Sequence, residues 1–302
     1  MTPASFWRGV LPAITTPFTP EGTVDHAFLA WHAAHLVDAG ASAIVPLGSL
    51  GEGATLSFDE KLAIVDTLVA AVGARVPVVP GIAALTTAEA VQLAQAAKAR
   101  GCGGLMVLPP YVYSSDCAEM GAHMRKVIGA TNLPVIFYNN PVAYRTDFTP
   151  AQIAEIASEF QNLQAVKESS GDMRRFAALK EVLSERLVLL VGMDDLIVEG
   201  LAMGAEGWIA GVVNAFPEES VRRFEQARDG GYAAARSLYE WSLPLLRMDT
   251  VPKFVQLIKL MQECVGLGSE RVRAPRMPLA DGEREQAMAV IERALDARKA
   301  WA

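Results

Sequence analysis

The chain is poor in the residues that build metal centres and disulfide scaffolds. It has only three cysteines, which are scattered along the sequence, and four histidines without a patterned cysteine or carboxylate partner. An odd number of unclustered cysteines is typical of proteins from a reducing compartment, so we expect a cytoplasmic protein. We expect it to carry no metal site and no cofactor.

A long apolar run is also absent. The longest stretch without a charged residue, 127–144, contains two prolines and four Asn or Thr residues. It is therefore too polar to cross a membrane, which requires about 20 predominantly apolar residues. The first residues lack a basic segment, and Pro12 and Pro17 interrupt their apolar part, so we do not expect a signal peptide there. We expect no membrane partner.

Positive charge is scarce as well. The chain has 27 Lys and Arg against 34 Asp and Glu, a net charge of −7, and no basic block, so nucleic acid is not an expected partner. Hydrophobic residues, in contrast, make up 51% of the 302 residues. Such a fraction without a membrane span indicates elements that are buried on both faces, as in parallel α/β sheets.

Eight short apolar runs occur along the chain. They are continuous rather than alternating in polarity, which is typical of strands covered on both sides. In order they are GVLPAITTPF, AIVPLG, VPVVPGI, GLMVLPP, PVIFYNN, LQAVKES, LVLLVG and GWIAGVV.

Amphipathic stretches with helix signals separate these runs. Ser57 followed by Glu60 predicts a capping box at the start of one helix, and Thr149 followed by Pro150 predicts the start of another. Eight strand–helix units favour a (β/α)8 barrel of the α/β class. The alternative, a doubly wound open sheet, would be expected to have a glycine-rich turn after its first strand, and TTPFTPEG is not one.

Further helical patterns follow the last apolar run. We expect residues 1–230 to form the barrel and residues 231–302 to form a C-terminal helical region. No low-complexity linker separates the two parts, so the helical region is expected to pack on the barrel.

Lys167 is the most informative polar residue. In such barrels the active site lies at the carboxyl ends of the strands. Of the eight lysines, Lys167 alone ends a buried apolar strand. Partial desolvation there favours a neutral amine, which can attack a carbonyl and form a Schiff base. A strand-end lysine that reaches solvent or pairs with Glu168 is the structural alternative.

Two other strand ends carry candidate residues. Tyr138 ends the preceding strand and could act as a general acid or base beside Lys167, or simply fill the barrel mouth. The turn GSLGE, beginning at Gly48, offers consecutive backbone N–H groups suited to a carboxylate, although a turn without a ligand is an equally open interpretation.

The same residues resemble a known family, the dihydrodipicolinate synthase / N-acetylneuraminate lyase family of class I Schiff-base aldolases. The resemblance covers the whole chain through LPAITTPF, GSLGEGATL, LPPY, YNNP, VKES followed by G-D, the VG-DD turn and the helical tail. It implies a (β/α)8 barrel with C-terminal helices and a homotetramer built as a dimer of dimers.

The resemblance also implies roles for individual residues. Lys167 would form the Schiff base and Tyr138 would relay protons, with Ser49 as its hydroxyl partner. The substrate-binding positions would be Gly48, Leu50, Gly192, Ile209, Tyr111 and Arg145. Within this set, Ser49 and the backbone of Leu50 would hold the carboxylate of a 2-oxo acid, and Gly192 and Ile209 would present carbonyl groups.

The chain departs from the lysine-pathway synthases of this family in the residues that serve their second substrate. Leu50 replaces a threonine, Val112 replaces the second of two tyrosines, and Ala143 replaces an arginine that binds a carboxylate. Arg145, two residues later, is the remaining candidate for that task.

These departures predict a catabolic lyase that acts on pyruvate or another 2-oxo acid. The alternatives are a 4-hydroxy-tetrahydrodipicolinate synthase, a benzylidenepyruvate-type hydratase-aldolase and a non-catalytic binder of 2-oxo acids. A phosphate-binding barrel is disfavoured because the GMDDL turn carries two acidic residues.

Overall fold

A curled sheet of parallel strands forms the centre of the molecule, for which a computed structural model describes residues 5–110 and 116–298. In chain order the strands are β1 (Gly9–Pro12), β2 (Gly81–Ile82), β3 (Leu105–Val107), β4 (Val135–Asn139), β5 (Leu163–Glu168), β6 (Val188–Val191) and β7 (Gly207–Ala210). Neighbouring strands follow the order β1-β7-β6-β5-β4-β3-β2, and each pair is parallel.

The segment 43–46 closes this sheet into a ring. Val45 bridges Ala13 beside β1, and Ile44 bridges Val78 beside β2. All eight predicted runs therefore contribute to the ring, and the predicted (β/α)8 barrel is confirmed.

The closing side of the ring is less regular than the sequence pattern predicted. Segment 43–46 forms one β-bridge to each neighbour, with backbone hydrogen bonds such as Val45 N–H to Pro12 (2.8 Å) and Val79 N–H to Ile44 (2.8 Å), and β2 has two residues. Pro46, Pro77 and Pro80 lie in these two runs, and proline cannot donate a ladder hydrogen bond. Leu47 then takes a positive φ of 65°, which turns the chain away from the strand direction.

Helices cover the outside of the ring. They are α1 (His26–Asp38), α2 (Phe58–Val72), α3 (Thr87–Ala99), α4 (Cys117–Ile128), α5 (Pro141–Tyr144), α6 (Pro150–Glu159), α7 (Arg174–Leu183), α8 (Ile197–Ala202), α9 (Pro217–Leu246), α10 (Phe254–Cys264) and α11 (Asp281–Arg298). The predicted capping box is confirmed, because Ser57 and Glu60 exchange side-chain-to-backbone hydrogen bonds at the start of α2. Thr149 caps α6, and Pro150 is its first residue, as predicted.

The C-terminal helices pack directly on the barrel. The helix α9 is interrupted at Gly231, whose φ of 65° and ψ of −164° are not helical. The division of the chain after residue 230 coincides with this interruption and stays a prediction. Trp241 of α9 donates a hydrogen bond to Ala294 of α11 (2.8 Å), and Thr15 beside β1 donates one to Gln262 of α10 (2.9 Å).

Two apolar layers result from the alternation of side chains along the strands. Ile136, Tyr138 and Ala165 belong to the inner layer within the ring, whereas Phe137 and Val166 pack outward against the helices. Complete burial of an aliphatic or aromatic side chain of this size contributes about 1.5–3 kcal/mol. In the ranges that the structure describes, no helix is both long enough and apolar enough to span a bilayer.

Candidate active site

Lys167 points into the ring from the end of β5. It follows Ala165 of the inner layer by two residues, and strand residues two apart share one face of a sheet. Only 6% of Lys167 is exposed. Its register partner on β4 is Tyr138, and Lys167 Nζ lies 4.1 Å from the centre of the Tyr138 ring. The two strand ends therefore bring the amine and the phenol together.

Glu168 faces away from Lys167 and belongs to a different network. Its carboxylate accepts hydrogen bonds from Asn139 (3.1 Å), the Ser170 backbone N–H (2.7 Å) and Arg175 (3.2 Å). This network joins the ends of β4 and β5 and fixes them relative to each other. Because Glu168 is engaged there, the structural alternative of a Lys167–Glu168 pair does not describe this site.

The hydroxyl of Tyr138 accepts a hydrogen bond from the amide of Asn140 (2.9 Å). The expected partner, Ser49, is bound elsewhere, because Ser49 Oγ and the Tyr144 hydroxyl form a short hydrogen bond. The expectation of a Ser49–Tyr138 pair is thus corrected. The rings of Tyr138 and Tyr144 lie edge to face, with centroids 5.7 Å apart. The four-residue helix α5 turns the chain so that Tyr144 reaches Ser49.

A cavity of about 390 Å³ lies in front of Lys167. It brings together seven of the residues singled out from the sequence, which are Lys167, Tyr138, Ser49, Gly48, Leu50, Gly192 and Ile209. Apolar side chains dominate the rest of its wall, including Val142, Met193, Val251, Pro252 and Phe254.

Gly192, just after β6, lies close to the side chain of Lys167. A Cβ atom at this position would overlap Ser169 Oγ and would lie 2.7 Å from Lys167 Cε. The absence of a side chain at Gly192 therefore makes room for the lysine to reach the cavity.

The loop that carries Ser49 is anchored by a buried ion pair. Glu52 is fully buried, has a positive φ of 54° and accepts a hydrogen bond from Lys259 of α10 at 2.6 Å. The backbone N–H of Arg273 donates to the second carboxylate oxygen of Glu52 at 3.0 Å. The C-terminal helices thus hold the loop at the cavity.

One residue implied by the resemblance, Arg145, does not take the expected place. Arg145 is exposed at the end of α5, with a φ of 57°, and it is not among the described residues that line the cavity. Ala143 lines the wall instead. Tyr111 lies outside the described residues.

The sequence-based predictions missed three polar residues of the site, which are Asn140, Tyr144 and Asp249. Asn140 and Tyr144 belong to the segment after β4, and the partner of Tyr144 depends on the tight turn of α5. Asp249 belongs to the 3-10 turn Arg247–Thr250, far along the chain from Lys167, and no sequence pattern marked it.

A second acidic residue, Asp194, lies close behind the cavity wall. It is fully buried and accepts hydrogen bonds from Trp208 Nε1 (3.0 Å) and from the backbone N–H groups of Gly211 (3.0 Å) and Val212 (2.7 Å). Burial raises the pKa of Asp194 to about 6, against the lowering effect of these hydrogen bonds and of Lys167.

The barrel and the placement of the cavity at the carboxyl ends of its strands define a barrel enzyme. Three comparisons with known proteins then specify it. A sequence profile described as "Dihydrodipicolinate synthetase family" matches residues 6–294. A 4-hydroxy-tetrahydrodipicolinate synthase of Methanosarcina mazei is 32% identical over 276 residues, which cover 91% of this chain and 94% of that protein.

Solved structures give the same result. Dihydrodipicolinate synthase from Aquifex aeolicus superposes with a TM-score of 0.90 at 28% identity, over 95% of this chain and 97% of that one. A prophage protein of the dihydrodipicolinic acid synthase family from E. coli K12, solved in complex with pyruvate, has a TM-score of 0.89 at 27% identity, over 95% and 98%. The chain belongs to the dihydrodipicolinate synthetase family. It is an enzyme of the carbon–carbon lyase type, in the class I group that acts through a Schiff base.

Proposed function

We propose that the protein is a lyase for pyruvate or a related 2-oxo acid and that Lys167 is its Schiff-base residue. The observation that carries the proposal is the state of Lys167, which is buried at a strand end against Tyr138 and opens into the cavity. Within the described residues it makes no hydrogen bond and no ion pair, so its amine is free to react.

The first half of the reaction follows from this placement. Lys167 Nζ attacks the C2 carbonyl of the 2-oxo acid, and the carbinolamine loses water to give an iminium. The iminium withdraws the electron pair of a bond at C3, so that a proton or a carbon fragment can leave as the enamine forms. Tyr138 lines the cavity beside Lys167, and its phenol group passes protons to and from the reacting atoms.

Tyr144 and Ser49 supply the proton relay from within one chain. The Ser49–Tyr144 hydrogen bond places two hydroxyl groups next to the ring of Tyr138, which contacts Lys167. Tyr144 takes the place of the second tyrosine of the lysine-pathway synthases, at whose position this chain has Val112. A phenol works best as a shuttle when a hydroxyl shares its proton, and Ser49 shares that of Tyr144.

Ser49 and the turn that begins at Gly48 hold the carboxylate of the 2-oxo acid. Gly192 and Ile209 line the opposite side of the cavity. The second substrate, or the leaving fragment, is neutral and apolar, because Leu50, Val142 and Ala143 line its path and Arg145 is exposed outside it. This favours a catabolic aldolase or a benzylidenepyruvate-type hydratase-aldolase.

A 4-hydroxy-tetrahydrodipicolinate synthase is the second candidate, favoured by the names of the relatives. It would need a cation for the carboxylate of its second substrate, and Lys167 is the only cationic side chain among the described residues of the cavity wall. A non-catalytic binder of 2-oxo acids would bind without turnover. We further propose a cytoplasmic homotetramer, which size-exclusion chromatography with light scattering would test.

Reduction with borohydride in the presence of pyruvate tests the proposal. We expect one reduced pyruvyl group per chain, mapped by peptide mass spectrometry to Lys167. Lys180→Met, an exposed-helix substitution outside the cavity, is the control and should label like the wild type, whereas Lys167→Met should not label. Labelling at another lysine, or none in the wild type, would contradict the assignment.

A further inference from the structure

Asp249 lines the cavity but takes no part in the steps proposed above for Lys167 and Tyr138. It lies in the 3-10 turn Arg247–Thr250 between α9 and α10 and lines the cavity together with Lys167. Its Oδ1 atom is buried and has no hydrogen-bond partner among the described residues. A buried carboxylate oxygen without a partner is costly, which favours the protonated form of the carboxyl group.

The end of β7 is shaped to receive this carboxyl group. A Cβ atom at Gly211 would overlap Asp249 Oδ1 and would lie 2.8 Å from its Cγ. The same point is 3.1 Å from Leu50 Cδ2. The carboxyl group therefore packs on bare backbone and next to an apolar side chain, in a place that offers it no cation by direct contact.

Burial and two neighbouring carboxylates favour the protonated form of Asp249. Burial raises its pKa well above the ordinary value, and the nearby carboxylates of Asp194 and Asp195 raise it further. Lys167 lowers it and is the opposing charge. Two arginines interact electrostatically with these carboxylates. Burial lowers the pKa of Arg223 and the charge of Asp194 opposes this effect, whereas burial raises the pKa of Asp195 and Arg247 opposes that rise. A carboxyl group whose pKa is raised in this way is suited to donate a proton at the cavity that it lines.

We propose that Asp249 is the general acid and base for the oxygen of the second substrate. The proposal rests on the function proposed above. In the condensing direction, C3 of the enamine bonds to the aldehyde carbon, the carbonyl electron pair moves to oxygen, and that oxygen takes the proton of Asp249. The nitrogen lone pair regenerates the iminium on Lys167, and water then releases the product and restores the proton. Cleavage runs the same steps backwards.

The proposed role of Asp249 and its place in the cavity wall predict a class of substrate. Val251, Pro252 and Phe254 follow Asp249 on the same wall of the cavity. A group bound there presents an oxygen to Asp249 and a hydrocarbon portion to this wall. The substrate is therefore a 2-oxo acid with a hydroxyl group at C4 and an uncharged, apolar remainder, and its aldehyde fragment carries no carboxylate.

Asp249→Asn separates the two halves of the reaction, since an amide keeps the shape of the side chain and cannot transfer the proton. The first half is followed by the exchange of pyruvate methyl protons in heavy water and by borohydride labelling. The second half is followed by turnover of pyruvate with benzaldehyde and with hexanal. We expect the first half to be unchanged and turnover to fall by about 10²–10⁴-fold, the usual range for acid–base catalysis.

Asp249→Ala serves as a second variant, and its thermal unfolding shows whether it is folded. Asp195→Asn removes a neighbouring carboxylate that does not line the cavity and should keep most of the turnover. The wild-type rate of condensation should fall as pH rises and Asp249 loses its proton, whereas the Asn variant should lose this limb of the profile.

The outcomes are distinct. Unchanged turnover in Asp249→Asn, or loss of exchange and labelling together with turnover, overturns the role of Asp249. A wild type that labels with pyruvate but consumes neither apolar aldehyde overturns the substrate class. A wild type that does not label at all overturns the proposed function itself.

Discussion

Two buried lysines have opposite surroundings in this protein. Lys259 is 1% exposed, donates hydrogen bonds to Glu52 (2.6 Å) and to the Arg271 carbonyl (2.6 Å), and lies over the Phe18 ring. Lys167 is 6% exposed and contacts the Tyr138 ring, with no hydrogen bond or ion pair in the ranges that the structure describes.

The difference separates a structural lysine from a reactive one. Burial lowers the pKa of Lys259, and Glu52 opposes that effect, so the ammonium group is held as half of an ion pair. Lys167 is surrounded by acidic groups that do not bind it directly, which leaves its nitrogen accessible from the cavity. The first lysine joins the C-terminal helices to the barrel, and the second faces the space where chemistry takes place.

The largest expected effect is the loss of reactivity in Lys167→Met. Exchange of the pyruvate methyl protons, followed by NMR, should fall by about 10⁴-fold or more, as when a covalent nucleophile is removed. The free energy of unfolding should change by less than about 1 kcal/mol, because no described ion pair is broken. Exchange at more than a tenth of the wild-type rate would contradict the comparison.

Lys259→Met should show the reverse pattern. It leaves Glu52 buried without its main partner, and breaking such a pair costs about 3–5 kcal/mol of unfolding free energy, measured in urea. The double variant Lys259→Met with Glu52→Gln should recover much of the loss, because no unpaired charge remains. A single variant as stable as the wild type would show that the pair is not a structural anchor.

Gly192→Ala tests whether Lys167 needs open space. The new Cβ would overlap Ser169 Oγ and crowd Lys167 Cε, so the amine would shift. A displacement of about 1 Å can cost about 10²-fold in rate, and we expect a loss of that size in methyl-proton exchange. Adding Ser169→Ala should restore part of the rate. Gly282→Ala, where a Cβ meets nothing within 4 Å, is the matched control.

The smallest expected effect is the pH dependence of stability that arises from His32. This histidine contacts Gln262 of α10, the helix that also carries Lys259. His32 is buried and bonded to Asn214 (3.2 Å) and Gln262 (3.3 Å), and burial lowers its pKa to about 4. The unfolded chain binds the proton first, so stability is lost as pH falls from about 6.5 to 4. Between pH 7 and pH 5 this loss is about 2 kcal/mol, and His32→Gln should remove it in urea unfolding.

The contribution of Asp194 to stability depends on pH in the opposite direction to that of His32. Its pKa is raised to about 6, so its contribution to stability is present below the ordinary pKa of an Asp and is lost as pH rises through 6. If His32→Gln kept the full acid sensitivity of the wild type, the histidine would not be its source.

The sequence predicted the barrel well wherever its strands are regular. The runs of β4 to β7 are continuous and apolar, and their lengths and ends follow from that pattern. The capping boxes of α2 and α6 depend on residues three apart, so local sequence determines them. Lys167 could be singled out because it is the lysine that ends a buried strand.

The remaining parts of the site depend on distant contacts. The pairing of Ser49 with Tyr144 follows from the position of α5, and the sequence alone favoured Tyr138. Asp249 reaches the cavity because Gly211 leaves room for it, and these two residues are 38 positions apart in the sequence. These long-range contacts depend on the closure of the barrel and on the packing of the C-terminal helices. Local sequence patterns do not determine either of them.

The proline-rich closure of the ring has a consequence for motion. Segment 43–46 forms one β-bridge and a few backbone hydrogen bonds with each neighbour, and it leads directly into the turn that carries Ser49. The backbone there should open more readily than the long ladder between β4 and β5, since fewer hydrogen bonds have to break. Amide hydrogen exchange should be faster at this seam than in the β4–β5 ladder and should slow when a 2-oxo acid occupies the turn, so ligand binding would tighten this part of the barrel.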